Sequence, residues 1–461
     1  MTLIKSISGI RGTIGGSVEN NLTPIDAVNF GCAYAKWLIK KKSISKNKVI
    51  IGRDARASGK MIQNLVQSSL ISMGIDVVDL GLSTTPTVEI MVKKYNADGG
   101  IIITASHNSK EWNALKLLNK NGEFLNKHEG KEIVDYYKNK KFKFSKVDEL
   151  GTSTKLKNSI NQHIKHVLNL ELVKTKKIKS KKLKIVVDAV NSTGGIIIPK
   201  LLKKLNIDVV ELYCEPNGDF PHNPEPLKKN LKDLSQKVIE CGADMGIAVD
   251  PDVDRLVFMC ENGEIFGEEN TLVACADYVL SKNPGSTVSN LSSSISLRDI
   301  TEKYNQTHFY SAVGEVNVVE KMKKVNAVIG GEGNGGVIYP ESHYGRDAVV
   351  GIGLFLSLYS ERNLSLSKLI ETYPKYFMVK QSINLSNSIN IDDVLKQITT
   401  KYENENVNCV DGVRIDFEKS WVQIRKSNTE PIIRVYSEAT SKEKANNLIS
   451  VIESLIKDIT N

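Results

Sequence analysis

Short apolar runs alternate with segments of helical spacing along the first part of the chain. The runs at 49–52, 76–80 and 100–103 are rich in β-branched residues, which predicts short buried strands. Apolar residues recur at helical spacing over 58–73, which predicts a helix between the first two strands. This strand–helix–strand order predicts parallel βαβ units.

The same plan recurs twice, and a different pattern follows. Further strands are predicted at 183–188, 209–213, 243–249, 287–290, 310–313 and 327–330, with helices at 227–241 and 270–280. From about residue 373, strands predicted at 381–385, 413–417, 421–424 and 432–437 flank helices at 391–401 and 441–457. We therefore expect an α/β fold in which three similar mixed α/β domains precede a C-terminal α+β domain with an antiparallel sheet.

Domain boundaries follow from these changes of pattern. We predict domains over 1–150, 151–255, 256–370 and 371–461. The three similar units each end a short apolar strand in a polar loop, and we expect these strand ends to face one central cleft, where open α/β sheets bind ligands.

Composition is typical of a soluble globular protein, with 41% hydrophobic and 25% charged residues. No uncharged apolar run reaches about 18 residues, so we expect no membrane partner. The N-terminus lacks the features of a signal peptide, and the six cysteines are scattered. Together these features favour a reducing compartment and a cytoplasmic location.

The net charge of +9 needs its own explanation. Part of it lies in the lysine run at 174–182, which we interpret as a solvated linker. Aromatic residues are not interleaved with these lysines, so we expect no nucleic-acid partner. Attraction of a phosphorylated small molecule accounts for part of the basic charge.

Ser106 follows the predicted strand at 100–103, within the small and polar stretch Thr-Ala-Ser-His-Asn at 104–108. A hydroxyl at the carboxyl end of a parallel strand stands where α/β sheets place ligands, so Ser106 is a candidate nucleophile. The alternative is a serine that caps the following helix. A serine hydrolase is disfavoured because the G-x-S-x-G context is absent.

Asp250, Asp252 and Asp254 alternate along the chain after another predicted strand. In an extended segment all three carboxylates would point to one side, and such hard oxygen ligands suit Mg²⁺ or Ca²⁺. A solvated acidic turn is the alternative. An EF-hand is disfavoured because Arg255 stands at the sixth position, where the sharp turn requires glycine.

Two further loops carry groups that could bind a sugar phosphate. Between two strands, a loop with cations, hydroxyls and an amide resembles a phosphate-binding turn in composition; its candidates are Arg425, Ser427, Asn428, Thr429 and, on the next strand, Arg434. In the glycine-rich loop 331–336, Glu332 and Asn334 could hold neighbouring sugar hydroxyls. Plain hairpin and glycine-rich turns are the alternatives. Two basic turns, at 8–12 and 52–56, are candidates for contact with an anion.

A nucleophilic serine, a metal, a hydroxyl-binding loop and a phosphate-binding loop are what phosphoryl transfer on a sugar requires. The loops at 104–108, 250–255, 331–335 and 425–431 resemble, in this order, the four motifs of the α-D-phosphohexomutases. The resemblance covers essentially the whole chain. It implies four domains around a central cleft and an enzyme that interconverts hexose 6-phosphate and hexose 1-phosphate through a bisphosphate.

The resemblance also implies residue roles. It implies a phosphoserine at Ser106, whose oxygen joins Asp250, Asp252 and Asp254 as ligands of Mg²⁺, with Arg11 and Arg255 near the phosphoryl group. Lys116 matches the family lysine assigned to acid–base work, and His107 lies beside the serine.

One departure from the family pattern concerns the sugar loop. The family often has G-E-x-S-G-H, whereas Asn334 replaces the serine here and Gly336 replaces the histidine. His343 is a candidate substitute for that histidine. The Thr-Glu-Pro ending of the phosphate loop and the segment 432–435 resemble phosphoglucosamine mutases, so glucosamine phosphate is the favoured substrate. A phosphomannomutase/phosphoglucomutase, a metal-dependent phosphatase and a non-catalytic sugar-phosphate sensor are the alternatives.

Overall fold

A computed structural model of the chain describes residues 2–6, 9–41, 47–384, 390–426 and 432–460. Two compact units are present. Unit 1 comprises Met1–Thr271 and Gly335–Ser367, and unit 2 comprises Leu272–Asn334 and Lys368–Asn461.

The strands are numbered in chain order: β1 Ile4–Ser6, β2 Gly9–Thr13, β3 Lys48–Arg53, β4 Asp76–Leu82, β5 Gly99–Ile103, β6 Trp112–Leu118, β7 Ser153–Lys155, β8 Lys184–Asp188, β9 Asp208–Leu212, β10 Met245–Val249, β11 Leu256–Cys260, β12 Thr287–Asn290, β13 His308–Ser311, β14 Ile329–Glu332, β15 Gly336–Ile338, β16 Phe377–Asn384, β17 Asn406–Asn408, β18 Val413–Asp416, β19 Trp421–Lys426 and β20 Ile432–Ala439.

The α-helices are α1 Pro24–Lys41, α2 Gly59–Ser72, α3 Thr85–Lys94, α4 Lys127–Asn139, α5 Ser159–Leu168, α6 Thr175–Ser180, α7 Gly194–Lys204, α8 Lys232–Cys241, α9 Glu268–Lys282, α10 Ser296–Lys303, α11 Glu315–Val325, α12 Ala348–Arg362, α13 Leu366–Ile370, α14 Ile391–Lys401 and α15 Lys442–Thr460. Among the helices that the described residues form, none combines the length and the apolar character needed to cross a membrane.

The first sheet of unit 1 has the strand order β1-β2-β6-β5-β3-β4-β7. Strands β4, β3 and β5 are parallel, as the sequence predicts, and β6 runs antiparallel between β5 and β2. Helices cover both faces of the sheet. Because alternate residues of β5 point to opposite faces, this strand packs against helices on both sides. Ile101 and Ile103 belong to a core with α1 and α2, whereas Ile102 packs in a core with α3. This packing fixes the end of β5, where Ser106 follows.

The second sheet of unit 1 has the order β11-β10-β8-β9. Strand β8 is parallel to both β10 and β9, and β11 is antiparallel to β10. Helix α12 packs beside it, and Phe355 of α12 stacks on Phe258 of β11 with ring centroids 3.6 Å apart. Most lysines of the run at 174–182 are exposed, as predicted from sequence, but the segment is not a plain linker. It includes helix α6, which buries Ile178 and pairs Lys177 with Glu361 of α12 at 3.0 Å.

Unit 2 contains parallel strands in the order β13-β12-β14 and an antiparallel sheet in the order β16-β20-β19-β18-β17. Helices α14 and α15 supply apolar side chains to the core over the antiparallel sheet. Mixed α/β sheets followed by a separate C-terminal sheet confirm the predicted fold class.

Candidate active site

Ser106 lies in the loop between β5 and β6 and is almost fully buried. Its hydroxyl donates a hydrogen bond to Asp250 Oδ2 at 2.6 Å, and His107 Nδ1 lies 3.4 Å from Ser106 Oγ. The backbone of Ser106 has φ 49°, in the left-handed region that non-glycine residues adopt rarely. A strained, buried hydroxyl that contacts a carboxylate from another strand end is typical of a functional site.

The three aspartates lie in the loop between β10 and β11, and all are fully buried. The expectation that an extended segment aligns them is wrong. The segment is a turn in which Val253 adopts φ 64°, and Asp250 Oδ1 accepts hydrogen bonds from the backbone N–H of Asp254 and of Arg255, both at 3.1 Å. This turn brings one oxygen of each carboxylate within 4.8 Å of the others.

The donor set fits a hard divalent cation. Asp252 Oδ1 and Asp254 Oδ1 are buried and have no hydrogen-bond partner, which is costly for a carboxylate oxygen unless a cation accompanies it. Burial, together with the charges of Asp254 and Asp252, raises the pKa of Asp250 well above its ordinary value. Such a cluster of oxygen ligands suits Mg²⁺ and not a soft metal.

Thr85, the first residue of α3, holds Asp252 by two contacts. Its backbone N–H donates to the carbonyl of Asp252 at 2.9 Å, and its hydroxyl donates to Asp252 Oδ2 at 2.5 Å. Thr84 caps the same helix through the N–H of Thr87. The sequence shows a Thr-Thr-Pro helix start here, but it gives no signal that the second threonine contacts an aspartate far along the chain.

Two cations contact the aspartates directly. Lys116 Nζ lies 2.7 Å from Asp252 Oδ2 and 3.4 Å from Asp254 Oδ2, and Arg346 Nη2 donates to Asp254 Oδ2 at 2.6 Å. Burial alone would raise the pKa of Asp254, yet Arg346, Lys116 and Arg255 lower it below the ordinary range. Burial opposes the charge of Lys116, but Asp252 and Asp254 raise its pKa overall.

Arg346 is absent from the residues singled out in the sequence. It comes just before Asp347, which caps α12 through the N–H groups of Val349 and Val350. Its only sequence signal is a charged pair directly before an apolar helix, a pattern that also occurs at ordinary helix starts.

Arg11, on β2, and Lys116, on β6, lie on neighbouring antiparallel strands and share one face of the sheet. Arg11 Nη1 donates to Asn108 Oδ1 at 3.0 Å. This bond connects Arg11 to the loop between β5 and β6, residues 104–111, which we call the serine loop. Arg255 Nη1 contacts Glu225 Oε1 at 3.2 Å, while its Nε is buried without a hydrogen-bond partner. Cationic side chains therefore contact both the loop that contains Ser106 and the loop that contains the aspartates.

His107 and His343 differ in the groups that surround their imidazole rings. Burial, followed by the charges of Arg255 and Arg11, lowers the pKa of His107, so its imidazole is neutral and can accept a proton. His343 is buried with Nε2 3.1 Å from Asp347 Oδ2 and Nδ1 3.3 Å from Glu89 Oε2. Both of its ring nitrogens face carboxylates, so His343 does not offer a free nitrogen to a substrate in place of the missing sugar-loop histidine.

Unit 2 carries the sugar-loop residues. Glu332 ends β14, where its Oε1 accepts hydrogen bonds from Asn290 Nδ2 at 2.7 Å and from the N–H of Gly314 at 3.1 Å. Asn334 Nδ2 lies 3.5 Å from Glu332 Oε2. The carboxylate is thus oriented by groups from two other strand ends of the same sheet.

Unit 2 also carries the residues of the predicted phosphate loop. Arg425 on β19 and Arg434 on β20 are register partners in the antiparallel sheet. Ser427, Asn428 and Thr429 lie outside the described residues.

Comparison with known proteins covers nearly the entire chain. The family models described as phosphoglucomutase/phosphomannomutase alpha/beta/alpha domains I, II and III match residues 3–144, 161–263 and 268–376, and the C-terminal domain model of the same family matches residues 387–454.

Relatives with different names match over similar lengths. The chain is 34% identical to a phosphoglucomutase/phosphomannomutase of Thermococcus kodakarensis, over 97% of this chain and 98% of the relative. It is 31% identical to a phosphoglucosamine/phosphogalactosamine mutase of Sulfurisphaera tokodaii, again over 97% and 98%.

A solved structure supports the fold independently. A phosphoglucomutase/phosphomannomutase family protein of Burkholderia thailandensis matches with a TM-score of 0.85 and 24% identity, over 99% of this chain and 97% of that one. The resemblance inferred from the four loops is therefore confirmed. The chain belongs to the phosphoglucomutase/phosphomannomutase family of α-D-phosphohexomutases, enzymes that catalyse intramolecular phosphoryl transfer.

Proposed function

We propose that this protein interconverts hexose 6-phosphate and hexose 1-phosphate through a phosphoserine at Ser106 and a hexose bisphosphate intermediate. The observation that carries this proposal is the 2.6 Å hydrogen bond between Ser106 Oγ and Asp250, inside a group of three buried aspartates. A hydroxyl beside a cation-binding carboxylate cluster is the arrangement that phosphoryl transfer requires.

In the first half-reaction, the bond between phosphorus and Ser106 Oγ breaks and a bond from phosphorus to the free sugar hydroxyl oxygen forms. The sugar hydroxyl loses its proton, and the departing serine oxygen gains one. We assign the handling of that proton to Lys116, whose ammonium group can give a proton to the departing serine oxygen, or to the neutral His107, which can take one from the sugar hydroxyl. After the bisphosphate turns end for end, the same steps run in reverse with its other phosphate.

Charge stabilisation falls to fixed groups around Ser106. We assign Arg11 and Arg255 to the oxygens of the transferring phosphoryl group, because both guanidinium groups lie among the serine and aspartate loops. Mg²⁺ held by Asp250, Asp252, Asp254 and the phosphoserine oxygen would neutralise charge on that group. Lys116 orients Asp252 and Asp254 through its ammonium group.

We assign the residues of unit 2 to substrate recognition on the strength of the family resemblance. Glu332 and Asn334 would bind sugar hydroxyls that both orientations of the bisphosphate present. The non-reacting phosphate would be bound by Arg425, Ser427, Asn428 and Thr429, and Arg434 on the next strand would add a second guanidinium group.

Glucosamine phosphate is the substrate we propose, because the phosphate-loop ending and several relatives favour it. Probable phosphoglucosamine mutases of Methanopyrus kandleri and Pyrococcus abyssi are 30% and 32% identical to this chain. Glucose or mannose phosphate is the second candidate, supported by the 34% identical relative of that name.

Replacing the nucleophile tests the covalent route. Ser106→Ala should lower mutase turnover by more than about 10³-fold, because it removes the oxygen to which we assign the phosphoryl group. Ser68→Ala, which removes an exposed hydroxyl on α2, is the matched control and should behave as wild type. Coupled assays with glucosamine, glucose and mannose phosphates measure both turnover and substrate preference.

Intact mass of the purified protein completes the experiment. We expect a population heavier by one phosphate in the wild type and in Ser68→Ala, and none in Ser106→Ala. Retained turnover in Ser106→Ala would contradict the phosphoserine route. Release of free phosphate without isomerised product would instead indicate a phosphatase, and a rate ranking led by glucose or mannose phosphate would contradict the substrate we propose.

A further inference from the structure

Arg56, at the end of the second basic turn, is almost fully buried and all five of its N–H donors are used. Nε donates to Asp54 Oδ2 at 3.0 Å. The other four donate to backbone carbonyls of the serine loop and of the first residue of β6. Nη2 donates to Ser106 at 2.5 Å and to Asn108 at 2.6 Å, and Nη1 donates to Ser109 at 2.6 Å and to Trp112 at 3.0 Å. The sequence suggested that this turn contacts an anion, but in the structure the Arg56 guanidinium donates hydrogen bonds to backbone carbonyls instead.

Asp54 supports the backbone N–H of Ser106 through Thr104. Its Oδ2 accepts a hydrogen bond from the hydroxyl of Thr104 at 2.6 Å, and Thr104 Oγ1 in turn accepts the N–H of Ser106 at 2.9 Å. The backbone N–H of Ser106 is therefore held through Thr104 and Asp54, and its carbonyl is held by Arg56. Both peptide groups that set the φ and ψ angles of Ser106 are fixed by this buried pair.

Fixing those angles matters because they are unfavourable. The left-handed region is unfavourable for a non-glycine residue, so an unsupported loop would relax away from φ 49°. Relaxation would turn the hydroxyl of Ser106 away from Asp250 Oδ2. The Arg56 carbonyl contacts offset that cost with charge-assisted hydrogen bonds, which are stronger than neutral ones.

From these contacts we infer that Arg56, supported by Asp54, is a positioning residue that holds Ser106 in its left-handed conformation and so aims the hydroxyl at the aspartates. The inference rests on the proposed function, because it holds that Arg56 positions Ser106, the residue that accepts and donates the phosphoryl group in that reaction. The side-chain hydrogen bonds of Arg56 go to Asp54 and to backbone carbonyls, and none goes to Asp250, Asp252 or Asp254. Loss of Arg56 should therefore change the rate of the chemical step and leave substrate binding nearly unchanged.

Two substitutions of Arg56 and one control test the inference. Arg56→Lys keeps the charge but offers three donors in place of five, and Arg56→Met keeps the apolar bulk and removes every donor. Arg53→Met is the matched control, because Arg53 lies in the same turn but donates to Gln63 Oε1 and the carbonyl of Asp54, with no hydrogen bond to the serine loop.

The measurement is the single-turnover rate at which dephosphorylated protein gains one phosphate on Ser106 from glucose 1,6-bisphosphate, followed by intact mass. Steady-state kcat and KM are measured in parallel. Misplacement of a reacting group by about 1 Å costs about 10²-fold in rate, so we expect a loss of that order in Arg56→Met and a smaller loss in Arg56→Lys. KM should change less than about twofold if ground-state binding is untouched.

Hydrogen exchange separates a positioning role from general destabilisation. We expect faster exchange in both Arg56 variants at the amides of the 104–112 loop, with the helices of unit 1 protected as in wild type. Arg53→Met should keep the wild-type phosphorylation rate.

Wild-type phosphorylation rates in a folded Arg56→Lys or Arg56→Met protein would overturn the inference while leaving the proposed function intact. If Arg56→Met fails to fold, the folded Arg56→Lys protein is judged by the same rate and KM criteria. A parallel rise in KM and fall in kcat, with exchange increased throughout unit 1, would also overturn the inference. A wild-type protein that never accepts phosphate on Ser106 would overturn the proposed function itself.

Discussion

His343 carries a positive charge inside the protein because of the carboxylates around it. Burial alone would lower its pKa, but hydrogen bonding to Asp347 and Glu89 raises it to about 10. His163 Nε2 also contacts Asp347, at 2.9 Å, so a single carboxylate lies between two imidazoles. Gly345 is required in this arrangement, since a Cβ there would come within 2.0 Å of Glu89 Oε2.

The raised pKa of His343 makes a pH-dependent contribution to stability. In the unfolded chain the imidazole titrates near 6.5, so between about 6.5 and 10 the folded state binds more protons and stability falls as pH rises. The loss is at most about 1.4 kcal/mol for each pH unit. Urea unfolding at several pH values in this window should show a larger advantage of wild type over His343→Gln at the lower pH.

The control for this titration is His128→Gln, which removes an exposed histidine from α4. Its unfolding free energy should follow that of wild type across the whole pH range. An advantage of wild type over His343→Gln that stays constant with pH would show that the imidazole has no raised pKa in the folded protein.

At the scale of helices and strands, the start of α3 links the first sheet of unit 1 to the aspartate loop. Thr85→Val keeps the shape of the side chain but removes the hydroxyl that donates to Asp252 Oδ2. Groups that orient a metal ligand typically contribute 10–100-fold in metal affinity, so we expect Mg²⁺ affinity to fall by about 10-fold or more.

Isothermal titration of Mg²⁺ into the metal-free protein measures this change directly. Thr154→Val, on the exposed strand β7, is the matched control and should bind Mg²⁺ as wild type does. Equal affinities in wild type and Thr85→Val would contradict a role of Thr85 in orienting Asp252.

Predictions of elements from sequence succeeded where a periodic apolar pattern decides the structure. The helix at 391–401 and the strand at 287–290 have the bounds that the pattern predicts. The strand predicted at 327–330 instead spans Ile329–Glu332, because Gly331, predicted in the following loop, pairs with Ser289 and continues the strand. Gly330 pairs with Val288, and a Cβ there would lie 2.7 Å from Met322 Sδ of α11. Close approach of a helix, which the local sequence does not reveal, selects glycine at this position.

The candidate site shows a similar division. Ser106 and the aspartates stand out because their residue types recur at strand ends, where ligands bind. Thr85 and Arg346 act through contacts between segments far apart in sequence, and single residues of these types carry no pattern. Arg56 lies in a basic turn that the sequence singled out, but for contact with an anion and not with the backbone around Ser106. The alternation of the three aspartates favoured an extended segment, and Val253, whose residue type favours a strand, gives no sign of the turn in which it adopts φ 64°.

For the molecule as a whole, the buried aspartates couple metal binding to thermal stability. A ligand that binds only the folded state stabilises it by about 2.7 kcal/mol when present at about 100 times its Kd. We therefore expect Mg²⁺ to raise the midpoint of thermal unfolding after treatment with a chelator. Asp252→Asn should abolish most of that rise, whereas Asp208→Asn, an exposed change on β9, should retain it. An equal rise in both variants would place the stabilising ion elsewhere.

The ion pairs around the aspartates also bear on how a doubly charged ion is tolerated there. Three formal negative charges face Lys116, Arg346 and Arg255, so the pocket is close to electroneutral before any ion enters. A divalent cation entering alone leaves an uncompensated excess, which a phosphate monoester dianion on Ser106 would cancel. By reciprocal linkage, the phosphorylated protein should hold the cation more tightly, and the same melting measurements on both forms would reveal that preference. Loss of phosphate and loss of metal would then tend to occur together.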